Sequence, residues 1–152
     1  MRLSAVLFGV IVLFSNVAVG QSEDYLDRLD TNETHEAYRV LESDEPLVKL
    51  RKRRINALMM AAGPLRQRVM DGSASVLTLG DLQKMLLDAQ MEFHQTNEER
   101  VVVLDEALKS AKEIEDAAAT RFEAGIGRPD SAAFASAFRI EIEIRQLELQ
   151  DE

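Results

Sequence analysis

Arg68-Val-Met-Asp-Gly72 closes one helical pattern of this chain, and Arg121-Phe-Glu-Ala-Gly125 closes another. From 68 to 121 and from 72 to 125 the spacing is the same, 53 residues. In each copy the arginine falls in a last turn, where the helix dipole favours a cation. The glycine falls where the chain leaves a helix through a left-handed residue. A short polar loop follows, and then an aspartate (Asp81, Asp130) placed to cap a further helix. A phrase that recurs with its flanking periodicity marks two copies of one supersecondary unit, here a helical hairpin.

Outward from these phrases the apolar residues form stripes. Before Gly72 they are Ile55, Leu58, Ala62, Leu65 and Val69, at gaps of 3, 4, 3 and 4, the rhythm of a coiled-coil seam. Pro46, preceded by Asp44 and Glu45, suits the first turn of this helix. Gly63-Pro64 interrupts it, and an interior proline costs about 3 kcal/mol. The stripe keeps its phase through Pro64, so the spacing predicts a kink, with a full break as the alternative. Ser73 to Gly80 reads as a loop, and Asp81 as the cap of a second helix carrying Leu82, Leu86, Ala89 and Phe93. Thr96-Asn-Glu-Glu99 has the spacing of a capping box and predicts a restart there. The third helix carries Val101, Leu104, Leu108, Ala111, Ile114, Ala118 and Phe122. Ile126-Gly-Arg-Pro129 is a turn, and Asp130 is placed to cap a fourth helix with the stripe Ala133, Ala137, Ile140, Ile144 and Leu147. Ile140-Glu-Ile-Glu-Ile144 also alternates with period two, as a strand would. The longer window favours helix. The expected fold is all-α: an antiparallel four-helix, coiled-coil-like bundle of two hairpins over residues 46–150. Short connections place both glycine loops at one pole.

The two ends of the chain differ from this pattern. Residues 1–20 read as a secretory signal peptide: Arg2, an apolar stretch from Leu3 to Phe14, and small residues at Ala18-Val-Gly20 before a mature start at Gln21. A retained anchor is the alternative, but the apolar run falls short of the roughly 20 residues a spanning helix needs. No stable membrane span is expected once the signal is removed, and the expected location is the periplasm or cell envelope, with the extracellular space as the alternative. Residues 21–45 are acidic and read as a flexible leader, with a short helix over 36–41. Asn32-Glu-Thr34 matches a glycosylation sequon and is read as chance.

The chain has 18 basic and 27 acidic residues, a net charge of −9. Nucleic acid needs a basic face and is excluded as a partner. Anionic lipid is disfavoured for the same reason. There is no cysteine, so stability must come from packing and no thiol nucleophile exists. The only histidines are His35 and His94, and neither joins a serine in a recognisable pattern. Gly72-Ser-Ala-Ser lacks the lysine of a phosphate-binding loop. No catalytic set, cofactor or metal is expected. Met59, Met60, Met70, Met85 and Met91 with His94 could form a soft-metal site, but methionines more often fill core gaps. Lys49-Leu-Arg51-Lys-Arg-Arg54 could dock an acidic partner, but is read as a solvated face paired with Glu42, Asp44 and Glu45.

Arg-x-x-x-Gly, a short loop and then Asp opening a helix resembles the hairpin-tip pattern of the TolC-like outer-membrane efflux proteins. The resemblance covers roughly Leu65 to Leu149, with Arg121-Phe-Glu-Ala-Gly125 and Asp130 as its better copy. It extends to the helical hairpins only, since amphipathic strands for a barrel are missing. It implies that Arg68, Gly72, Asp81, Arg121, Gly125 and Asp130 mark tips that meet a helical envelope partner of the adaptor kind; self-association is the other possibility. The function expected is therefore that of an exported, non-enzymatic structural or interaction protein. A small periplasmic bundle that binds or senses a ligand or metal is the alternative.

Overall fold

Pro46, which has no N–H to leave unpaired and a φ suited to a helix, opens the first of four long helices. The computed structural model describes residues 35–151. The helices are α1 (Pro46–Met70), α2 (Val76–Phe93), α3 (Asn97–Glu123) and α4 (Pro129–Gln150). No strand occurs among the described residues. The period-two stretch around Ile142 is helical, and α1 runs unbroken through Pro64. The capping box opens α3 as its spacing implies. Thr96 Oγ1 accepts from the Glu99 N–H (3.3 Å), and the Glu99 carboxylate accepts from the Thr96 N–H (3.4 Å).

The chain folds as an antiparallel bundle in which α2 is the central element. It packs on α1, on α3 and on α4, while α3 and α4 form the most extensive pair. At the pole where α1 ends and α4 begins, all four helices share one core: Val69, Leu79, Ile114, Ala118 and Ala135. Towards the other pole that core divides. Leu87, Leu104, Ile142 and Leu149 fill the space between α2, α3 and α4. Ile55 and Ala89 meet between α1 and α2 under the ring of Tyr38. The stripes read for α1 and most of α3 face these cores.

Two expectations about packing require correction. Residues 35–45, read as part of a flexible leader, lie against the bundle. They form a 3₁₀ turn at Glu36–Tyr38 that buries Tyr38 to 3 % exposure. Asn56 Nδ2 donates to the Tyr38 carbonyl (3.0 Å), and Lys52 Nζ donates to the Arg39 carbonyl and to Asp44 (2.9 Å each). The polar side chains that α1 buries thereby satisfy the backbone of the incoming segment. The signal segment, the rest of the leader and the sequon lie outside the described residues.

The second correction concerns α4. The stripe Ala133, Ala137, Ile140, Ile144, Leu147 is exposed. The buried residues are Ala135, Ile142 and Leu149, with Phe138 against them. Residues two apart on a helix point to nearly opposite sides, so alternating isoleucines create two apolar faces. Ion pairs on either flank fix which one turns inward: Arg139 to Glu115 of α3 (2.6 Å), and Arg145 to Asp88 of α2 (2.7 Å). No helix among the described residues is long and apolar enough to cross a membrane.

Candidate functional site

The duplicated phrases fold into the same backbone structure. In the first copy Ser73 N–H and Ala74 N–H both donate to the Arg68 carbonyl (2.8 and 3.0 Å), and Gly72 N–H donates to Val69 (2.9 Å). In the second, Ile126 and Gly127 N–H both donate to Arg121 (3.0 and 2.8 Å), and Gly125 N–H donates to Phe122 (3.0 Å). Each is a Schellman turn with its glycine in the left-handed region, φ +76° at Gly72 and +73° at Gly125. The 53-residue spacing persists past the turns. Ser75 and Arg128 are the N-cap positions, and Val76 and Pro129 the first helical residues.

The two loops are therefore equal in length, which displaces both aspartates from their expected role. Asp81 lies inside α2, exposed and away from the tip. The cap is Ser75, whose hydroxyl accepts from Leu77 N–H (3.2 Å). Val76 to Gly80 is helical because Leu79 and Gly80 are buried, and that burial outweighs the weak helix preference of Thr78 and Gly80. Asp130 occupies the second helical position of α4 rather than its cap. It accepts from Arg128 Nη2 (2.6 Å) and Nε (3.1 Å), and this guanidinium holds its carboxyl below the ordinary range.

Both loops lie at the same pole and are tied together there. Arg121 reaches across from α3, and its Nη1 donates to the Val69 carbonyl at the end of α1 (2.9 Å). Its guanidinium covers Gly72, where a Cβ would fall 1.5 Å from Nη2. Gly125 faces open space, whereas a Cβ on Gly127 would sit 2.6 Å from the Phe122 nitrogen. Between the loops is an open cleft of about 300 Å³, lined in part by Gly72, Ser75, Leu77, Arg121, Ile126 and Asp130. Two large apolar side chains of its lining are left in solvent, Ile126 at 72 % exposure and Leu77, and Phe122 and Met70, in the last turns of α3 and α1, are exposed as well. Of the six residues read from the sequence, Gly72, Gly125, Arg121 and Asp130 share this tip. Arg68 contributes its carbonyl to the first turn and keeps its side chain exposed, and Asp81 takes no part. Ser75, Ile126 and Gly127 were missed, although extending the 53-residue register by three positions pairs Ser75 with Arg128.

The other constellations do not converge. Met59 packs beside Ile55 and Met91 beside Leu87, while Met70 and Met85 are exposed. His94 Nε2 is hydrogen-bonded to the Tyr38 hydroxyl (2.9 Å). The basic run is shared out among partners: Lys52 with Asp44, Lys49 with the Glu42 carbonyl, and Arg51 and Arg54 with Glu92.

No protein-family model, curated protein or solved structure matches the chain.

Proposed function

We propose that this chain is an exported, non-enzymatic envelope protein that engages a helical partner end-on through its glycine pole. The observation that carries this reading is the exposed set around Ile126, mounted on two identical turns that Arg121 braces against each other. A rigid backbone presenting apolar side chains loses little conformational entropy when it docks. Burial of those side chains then drives association at about 25 cal/mol per Å² of apolar surface. The resemblance to TolC-like hairpin tips supports a partner of the adaptor kind, itself a helical hairpin. It also supports residues 1–20 acting as a cleaved export signal.

Two measurements test this. A photoreactive amino acid at Ile126, expressed in the native envelope, should give a discrete adduct with a helical envelope protein. The same probe at Glu106, far from the tip on α3, should give none. Equal labelling from both positions would remove the tip from consideration. N-terminal sequencing of the exported chain should begin at Gln21, and recovery of the protein with Met1 intact in the cytoplasm would refute the export half of the proposal.

A further inference from the structure

The chain has only two histidines, and both lie against one tyrosine. The rings of His35 and His94 are centred 6.0 and 5.8 Å from that of Tyr38, the only buried residue of 35–45. Gln90 Nε2 can only donate, and it donates to the Tyr38 hydroxyl (3.1 Å). The single proton of that hydroxyl is left for His94 Nε2 (2.9 Å), which must be bare to accept it. His94 is therefore neutral in this arrangement, with its proton on Nδ1 beside the Glu99 carboxylate (3.6 Å). We propose that this bond is a pH-sensitive latch: protonation of His94 releases the Glu36–Tyr38 turn from the bundle.

The groups around His94 fall into two sets. One set stays with the bundle. Glu99 and Arg100 are on α3, and Arg100 Nε donates to the His94 carbonyl (3.1 Å). Glu106, also on α3, has its charge felt at Tyr38. Glu92 of α2 is held by Arg51 and Arg54 of α1. These groups surround the ring whether the turn is fastened or free, so they set where His94 gains its proton without choosing between the two states. The other set leaves with the turn, and it does choose. The Tyr38 hydroxyl serves only a bare Nε2. The turn packs over the His94 side chain, which is 12 % exposed, and burial disfavours the imidazolium. His35 gains charge over the same range and adds a like charge on the same side. All three favour neutral His94 in the fastened state. A proton that binds the free state better draws the equilibrium towards it as pH falls. Histidine makes that change between about pH 8 and about pH 5.

The release is local. Lys52 Nζ holds the Arg39 carbonyl and Asp44, so the chain stays anchored beyond the turn. What opposes release is the burial of one ring, set edge-on to Phe93 at 5.6 Å, and the bond from Asn56 Nδ2 to the Tyr38 carbonyl (3.0 Å). So small a set of contacts places the turn among the units that open without global unfolding. Opening uncovers Ile55 and Ala89, which are buried beneath Tyr38.

Tyrosine fluorescence reports on the latch directly, because the chain has no tryptophan and Tyr25→Phe leaves Tyr38 as its one tyrosine. In the purified chain with that substitution, acrylamide quenching of Tyr38 should rise several-fold between about pH 7.5 and about pH 5.5, above the range in which carboxylates protonate. Far-UV circular dichroism should stay constant. The His94 Cε1 proton, followed by NMR, should titrate with the same midpoint as the quenching. His94→Gln offers an uncharged acceptor at every pH and should keep Tyr38 protected throughout. Protection of Tyr38 down to about pH 5.5 without that variant overturns the proposal. Gln90 has then turned its amide over and let the hydroxyl accept from an imidazolium. A rise that His94→Gln shares, or whose midpoint departs from that of the His94 resonance, also overturns it and moves the trigger to another group.

Discussion

Gly72 and Gly125 hold equivalent places in the repeat, yet their surroundings differ. An alanine at either site is forced into the left-handed region, at a cost of about 1–2 kcal/mol. At Gly125 nothing more happens, because the new Cβ meets open space. At Gly72 the Cβ collides with the Arg121 guanidinium. That group sits at the end of a flexible side chain and can move aside, but it then gives up its bond to the Val69 carbonyl, worth about 1 kcal/mol. In urea unfolding, Gly72→Ala should therefore cost about 1 kcal/mol more than Gly125→Ala, the value of that bond. In an Arg121→Ala background the excess should disappear, since residues sharing one contact are not additive. An excess that survives the loss of Arg121 would show that the arginine does not brace the tips.

Among the elements, α2 and α4 are where reading the sequence met its limits. The start of α1, the capping box at Thr96 and the two glycine turns were legible because each depends on local chemistry that the chain carries in consecutive residues. The start of α2 was not, because Thr78 and Gly80 look like loop residues until Leu79 is packed against α3 and α4. Cap mutants separate the two readings: Ser75→Ala should cost about 1 kcal/mol, the worth of a serine cap. Asp81→Ala should stay within about 0.5 kcal/mol, as an exposed helical position does. The rotation of α4 was illegible for a different reason. Its two apolar faces have the same coiled-coil spacing, and only partners on α2 and α3 decide between them. Ile142, fully buried, and Ile144, half exposed, report on the outcome. Ile142→Ala should lose about 2–5 kcal/mol. In dilute solution Ile144→Ala should fall within about 0.5 kcal/mol of wild type. The reverse order would mean that the fourth helix is turned by half a revolution.

For the molecule as a whole, acidity is the property that composition announces and the structure puts to use. A chain with 27 acidic residues and no cysteine must keep its carboxylates from driving the helices apart. It does so by spending its arginines on the seams between helices. Arg139 ties α4 to Glu115 of α3, and Arg145 joins Glu141 to Asp88 of α2. The consequence for the carboxyl groups is consistent in sign. The Ser136 hydroxyl and then Arg139 hold Glu115 below its ordinary value of 4.5. Arg145 does the same for Glu141, and Lys52 holds Asp44 below 3.8. Groups lowered in the folded state take up protons on unfolding, so stability rises with pH through that window and is complete above the unfolded values. The urea midpoint should be level near neutral pH and fall as the pH drops below about 5.5, where unfolded glutamates begin to protonate. Glu115→Gln isolates one contribution. Glutamine cannot ionise, so this variant should be less stable than wild type at neutral pH and converge with it as the pH falls below 4.5 and Glu115, held below that value, is itself neutralised. Curves that stay parallel across the whole range would show that the charge of Glu115, as distinct from its shape, does nothing to hold α3 and α4 together.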